Sequence, residues 1–344
     1  MTDTRCPADE AELERLLTAP SDRLVEDMRR LDGDVLVLGA GGKMGPSLCV
    51  LAANALRAAD SDARVIAVSR FSDAAVRDRL SAAGVQTHAA ELLDDGDLAS
   101  VPDAPNVIYM AGRKFGTAGE EHLTWAMNGY LPGRVVRRFA SSRIVAFSTG
   151  NVYPFVPVGS GGANERTLPA PVGEYAQSCL ARERAFENGS DLAGTQIVLF
   201  RLNYAVDLRY GVLSDVARAI MDGADVPLEV PAFNAIWQGD ANEYALRALL
   251  RCASPPLVLN VTGPETISVA WAARELADRL GRTVRFGSEG PATALLSNAA
   301  RAHAVFGYPL IPLGRMLDWT ADWIAHGGLL WDKPTKFSVR HGAY

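Results

Sequence analysis

Gly39, Gly42 and Gly45 stand three residues apart in "VLVLGAGGKMG", directly after a short apolar run and at the mouth of a helical segment. Chemistry explains glycine there: the turn is tight and the backbone must approach a pyrophosphate, whose charge is favoured at a helix N-terminus. A dinucleotide is the ligand this pattern predicts, with Lys43 and Met44 between the glycines as further contacts. The next apolar run ends "VIAVSRFSD", which puts Ser69 and Arg70 where an acid would bind a ribose 2′-hydroxyl. A carboxylate that would repel a 2′-phosphate is absent and a guanidinium suited to one is next door, so NADP is expected ahead of NAD. A second reactive stretch, "EYAQSCLARE" (174–183), reads as a helix that opens on Tyr175 and carries Cys179 four residues later. Beside a dinucleotide, Tyr175 suits the role of acid or base.

The elements that must position these residues alternate. "DVLVLGA" (34–40), "ARVIAVSR" (63–70), "NVIYMAG" (106–112), "RIVAFST" (143–149) and "TQIVLFRLN" (195–203) are apolar throughout, with helical segments between them. That is the pattern of a parallel sheet covered on both faces. The expected fold is α/β, a Rossmann-type doubly wound parallel sheet with a smaller helix-rich C-terminal substrate lobe. Residues 1–32 form an N-terminal helical extension in which Leu13, Leu16, Leu17, Leu24, Val25, Met28 and Leu31 keep helical spacing, with a break at Pro20 and a new cap at Ser21. Residues 33–204 are assigned to the dinucleotide domain, with 236–262 returning to it. Residues 205–235 and 263–330 make the substrate lobe, and 331–344 a loop-like tail with room for one strand.

With 344 residues the chain buries a sizeable core, and a formal charge of −6 leaves no basic surplus for nucleic acid. Cys6, Cys49, Cys179 and Cys252 show no paired spacing, and none of the five histidines shows metal or triad spacing. No metal is expected. An acidic N-terminus without an apolar leader, and no apolar run near the ~18 residues a membrane helix needs, read as a cytoplasmic protein without membrane association.

Several segments, in order, resemble the extended short-chain dehydrogenase/reductase family, in particular its NAD(P)-dependent epimerase/dehydratase branch, over roughly 33–325. "NVIYMAG" is similar to the family's fourth strand, and "FSTGNVY" (147–153) to its serine-rich strand end, with Thr149 at the Ser/Thr position. "WAMNGYLPGRVV" is similar to the helix with a structural or catalytic asparagine, here Asn128, and "FRLNYAV" to the strand with a substrate-binding one, here Asn203. "WQGDANEYALRAL" and "NVTGPETISVAWAARELADRLGR" resemble later segments of the family. The resemblance implies that Tyr175 moves a proton while a hydride moves to or from nicotinamide, and that Thr149 hydrogen-bonds the reacting oxygen. It also adds Leu92 and Ala111 as cofactor contacts, the region of Asn298 as a substrate contact, and a homodimer paired through helices.

The family's motif is Tyr-x-x-x-Lys, and "YAQSC" departs from it at Cys179. A cation about 4 Å from the phenol is worth on the order of 4 kcal/mol, about three units on a tyrosine that otherwise titrates near ~10. Two replacements stand in the sequence. Lys114, in the loop after "NVIYMAG", has a flexible stem that can aim an ammonium into the gap, and it is the preferred one. Arg182 has Arg184 beside it and is assigned to a solvated helix face. Cys179 as a covalent nucleophile lacks a neighbouring histidine and reads better as a small hydrophobe. The expected function is an atypical NAD(P)-dependent oxidoreductase or epimerase/dehydratase acting on a hydroxyl or keto group of a carbohydrate-like small molecule. The substrate is a sugar, a sugar acid or a nucleotide sugar. The alternative is a catalytically impaired dinucleotide-binding sensor or scaffold.

Overall fold

The computed structural model describes residues 5–114, 119–331, 333 and 335–342. Seven parallel strands form the central sheet: β1 (Val35–Leu38), β2 (Val65–Ser69), β3 (Gln86–Ala89), β4 (Asn106–Tyr109), β5 (Arg143–Thr149), β6 (Gln196–Leu202) and β7 (Leu257–Val261). Their order is 7-6-5-4-1-2-3. β1 and β4 are neighbours, with Leu38 paired to Tyr109, and the connections leave them in opposite directions. A crevice opens outside the carboxyl ends at that reversal, where ligands bind in open parallel sheets. Strands β1, β4 and β5 are buried nearly throughout, as their apolar runs require.

β3 is not among the apolar runs: its "QTHA" is exposed or half-buried at the sheet edge. A polar edge strand has only backbone pairing to β2 to mark it, so periodicity gives no signal.

The N-terminal helices Glu10–Leu17 and Asp22–Arg29 form as the leucine spacing predicts, with Ser21 accepting a hydrogen bond from the Leu24 amide at 3.1 Å. They are braces. Leu24 and Met28 pack in the sheet core with Leu48 and Ala245, while Leu13 and Leu17 enter the core of the lobe. Each fully buried leucine or methionine contributes about 2 kcal/mol. The lobe core joins helices Val212–Met221, Val269–Leu280 and Leu313–Ala325. Among the described residues of 331–342 no strand forms.

Glu183 and Arg201 lock the helix Gly173–Ala193 to β6 inside the protein. The carboxylate, with no exposure, accepts from Arg201 Nε at 2.8 Å and Nη2 at 2.6 Å, and from the Ser148 hydroxyl. Arg201 also donates to the Tyr153 hydroxyl at 2.6 Å, which donates to Asn260 at 2.9 Å. Glu183→Gln removes the only anion from this buried set, and a loss of about 3–5 kcal/mol is expected in urea unfolding. A variant within about 1 kcal/mol of the parent would show that the pair is not what fixes the helix.

Candidate functional site

The glycine loop forms the floor of a cleft of about 360 Å³ at the crevice, lined by Gly39, Gly42, Lys43, Met44 and Gly45. Gly39 has φ +90°, and a Cβ there would lie 2.5 Å from the Ala111 amide nitrogen, so loop and β4 end are in backbone contact. A Cβ on Gly45 would lie 2.4 Å from the Ala40 carbonyl oxygen, which holds the helix Gly45–Ala58 against the turn. Gly42 is different: a Cβ there meets nothing closer than the Gly39 oxygen at 3.5 Å. Open backbone at the N-terminus of a 14-residue helix fits a pyrophosphate.

Ser69 packs against Gly41, where a Cβ would touch its Oγ at 2.5 Å. Arg70 is exposed and lies 3.6 Å from the Glu91 carboxylate. Ala111 is buried beside the loop. Leu92 is elsewhere: it belongs to the core behind the sheet with Leu98, Val101 and Val135, and its carbonyl accepts from Arg134. It does not line the cleft.

Tyr175 is the third residue of the helix Gly173–Ala193 and lines the cleft together with Thr149, at the end of β5. Gly173 has φ +83° and a Cβ there would lie 2.7 Å from the Gly342 carbonyl oxygen, so the tail closes against the start of this helix. The Tyr175 hydroxyl is hydrogen-bonded to the side chains of Thr149 and Cys179. Thr149 Oγ1 in turn donates to Asn151 Oδ1 at 3.0 Å. Burial holds the Tyr175 hydroxyl well above its usual pKa, Cys179 adds to this, and the Arg182 guanidinium pulls it down. Burial also pushes the Cys179 thiol up. A protonated thiol that does not line the cleft is no nucleophile.

Arg182 is buried, contrary to its assignment to a solvated face, while Arg184 is exposed and pairs with Glu187. Its Nη1 donates to the Phe147 carbonyl at 2.8 Å and its Nη2 to Asn128 Oδ1 at 2.7 Å. The guanidinium lies 5.6 Å from the centre of the Tyr109 ring and would touch any Cβ at Gly112. Tyr175, Cys179, Arg182 and Phe186 fall on one helical stripe, i, i+4, i+7 and i+11, and that spacing is the signal by which the arginine is found in sequence. Lys114 sits over the face of the Tyr175 ring, Nζ 5.7 Å from its centre, on the cleft side.

Asn128 is fully buried in the π-helical turn Ala126–Tyr130. Its side chain accepts from the Arg113 amide at 2.9 Å and donates to the Arg113 carbonyl at 2.8 Å and Ser178 Oγ at 3.0 Å. These contacts fix the loop after β4 and aim Arg182, and Asn128 does not line the cleft. Asn203 does line it, donating to the Leu295 carbonyl at 3.3 Å. Asn298 borders a separate cavity near His303 and accepts from the Ala300 amide at 3.0 Å. Tyr204, Tyr210, Gln238 and Thr335 also line the main cleft; Tyr204 and Gln238 lie within the segments "FRLNYAV" and "WQGDANEYALRAL", where the resemblance gives them no role, and Tyr210 and Thr335 carry no motif in the sequence. Among the described residues no cluster of His, Cys, Asp or Glu is arranged to hold a metal, and no helix is long and apolar enough to cross a membrane.

No family model matches the sequence, and no curated protein matches it. Solved structures do. UDP-glucuronic acid 4-epimerase from Bacillus cereus, in complex with NAD, is 18% identical and superposes with a TM-score of 0.70 over 85% of this chain and 96% of its own. UDP-glucose 4-epimerase from Thermus thermophilus, also with NAD, is 20% identical with a TM-score of 0.68 over 86% of this chain and 100% of its own. The chain shares the fold of these two epimerases. A third such fold, the dTDP-glucose 4,6-dehydratase of Streptomyces venezuelae with NAD bound, is 18% identical, TM-score 0.69, over 86% and 97%. Within this fold the glycine loop, Thr149 and Tyr175 of the present chain meet at one cleft, and Arg182 supplies the buried cation beside Cys179.

Proposed function

We propose that the protein is a nicotinamide-dinucleotide-dependent oxidoreductase of the epimerase/dehydratase type, acting on a hydroxyl or keto group of a carbohydrate-like substrate. The observation that carries this reading is the convergence of Tyr175 and Thr149 on the cleft floored by the glycine loop, with a buried guanidinium in place of the missing lysine. The dinucleotide, held by Gly39, Gly42, Gly45 and the helix N-terminus, supplies or accepts the hydride. Tyr175 gives the substrate oxygen its proton or takes it away, and Thr149 holds that oxygen. Because burial keeps the phenol protonated, Tyr175 is poised first as the acid, which suits reduction of a ketone. Asn203 and Tyr204, the latter at φ +47°, face the substrate side.

Arg70 favours NADP, since a 2′-phosphate can displace its exposed pairing with Glu91. Arg70→Ala is expected to weaken NADPH about tenfold and leave NADH unchanged in fluorescence titration. Equal loss for both dinucleotides, or none, assigns Arg70 to the surface and leaves NAD as the cofactor. A homodimer fits the exposed Trp125, Tyr130 and Leu192 on the helices flanking Tyr175, and a cytoplasmic setting fits four free thiols. The deciding experiment is dinucleotide titration beside a hydride-exchange screen over sugars, sugar acids and nucleotide sugars. Turnover with any substrate supports the enzyme. Tight binding without exchange across the whole set supports the sensor reading, which the loss of the lysine at 179 favours.

A further inference from the structure

Residues 335–342 of the tail run from the substrate lobe to the start of the Tyr175 helix and are pinned along the way. Thr335 lines the main cleft and donates its amide and its hydroxyl to Asp215 Oδ2 at 2.8 and 2.5 Å. Phe337 is buried in the lobe core, its ring centre 6.5 Å from that of Phe233. Arg340 Nη1 donates to the Thr293 carbonyl at 2.8 Å and to the Glu229 backbone carbonyl at 3.2 Å, and its Nη2 donates to Thr293 Oγ1 at 2.5 Å. The same guanidinium lies 4.2 Å from the centre of the Phe155 ring, over its face. Gly342, at φ +74°, is in backbone contact with the residue before the Tyr175 helix, where a Cβ would lie 2.4 Å from the Val172 carbonyl oxygen. No side chain fits there.

These contacts close one end of the cleft. Asn151 lines the main cleft and also a remnant cavity of about 10 Å³, whose other walls include Phe155, Leu295, Arg340 and Gly342. A space of that size holds one water at most. Arg340 is not held out toward a ligand in this arrangement, since its hydrogen bonds and its ring contact all go to the protein. On the near side of Asn151, about 360 Å³ serves both the glycine loop and the reacting pair, Thr149 and Tyr175. Pockets for small ligands run from ~300 to ~1,000 Å³, so this one is near the bottom of the range and must still admit the dinucleotide.

We propose that Arg340 and Gly342 set the size of the substrate, which is a free sugar-like molecule of about one ring that carries no nucleotide. This rests on the oxidoreductase reading and narrows its substrate. Arg340 is a specificity-determining residue through the space it fills beside Phe155. Gly342 is a positioning residue: its missing side chain lets the segment reach the Val172 carbonyl, and that approach keeps Arg340 on the ring.

The test is calorimetric titration of UDP-glucose into the protein saturated with NADPH or NADH. The parent is expected to bind it no more tightly than about 1 mM. Arg340→Ala uncovers the face of Phe155, on which a uracil ring stacks, and is expected to bring the dissociation constant to about 0.1 mM or below, a gain of about tenfold or more. Gly342→Val pushes the segment off Val172 and is expected to act in the same direction. Dinucleotide affinity is unchanged in both, and that binding is the check that each variant folds. Parent binding of UDP-glucose clearly tighter than about 1 mM, or parent turnover of it in hydride exchange, overturns the proposal. Parent binding that Arg340→Ala weakens overturns it too, and makes the guanidinium a contact for the diphosphate. So does the absence of a gain in either variant that still binds dinucleotide. Failure of both dinucleotides to bind the parent is a different result, and it removes the oxidoreductase reading itself.

Discussion

Tyr175→Phe is expected to lower turnover about a thousandfold while leaving dinucleotide affinity within a factor of about three, because it removes one proton-transfer group and nothing that lines the glycine loop. Arg182→Met is expected to cost about a hundredfold, through the phenol and not through contact with substrate. The two are separated by pH. In the direction that oxidises a hydroxyl, Tyr175 must be ionised, so the rate climbs as pH rises toward its elevated pKa. Arg182 favours the phenolate, so Arg182→Met moves the climb to higher pH, and Arg182→Lys restores part of the shift. Lys114→Met should leave that limb in place. Stopped-flow hydride transfer across pH checks all three. A pH limb displaced by Lys114→Met and unmoved by Arg182→Met would return the electrostatic role to the lysine.

The second large effect concerns the position where a lysine is missing. Cys179→Lys is expected to destabilise the protein by about 3–5 kcal/mol in place of repairing the site. Cys179 has no exposure, and the Arg182 guanidinium already acts on it from the next turn of the same helical stripe. A second cation there is buried beside the first with no carboxylate to meet it, since Glu183 is taken by Arg201. The double variant Cys179→Lys/Arg182→Ala relieves the repulsion and should regain more than half of the loss, a coupling that a double-mutant cycle in urea measures directly. Additive effects would mean that the two positions do not share one electrostatic site.

Much of this was readable before any fold was in view. The apolar runs at 35–38, 65–69, 106–109, 143–149 and 196–202 all became strands of one parallel sheet, because strands covered on both faces must be apolar throughout. The glycines at 39, 42 and 45 and the tyrosine at 175 were legible for a related reason. Backbone approach and proton transfer each admit few residue types, so the type itself carries the message. Leu92 shows the opposite case: an apolar residue near a strand end serves a core as well as a cofactor, and only packing separates them.

Tertiary structure decided which cation meets the tyrosine, and at which end. In sequence Lys114 is the preferred candidate and Arg182 is assigned to a solvated face, but Asn128, 54 residues away, accepts from the guanidinium and draws it beneath the β4 end, while the loop lifts Lys114 onto the ring face. Asn203 reached the cleft and Asn298 a different cavity for reasons no local pattern encodes. The tail residue Thr335 joined the wall through Asp215, 120 positions earlier. Local physics limits what a residue is able to do, and the long-range contacts that pay the entropy of ordering decide which of those things it is placed to do.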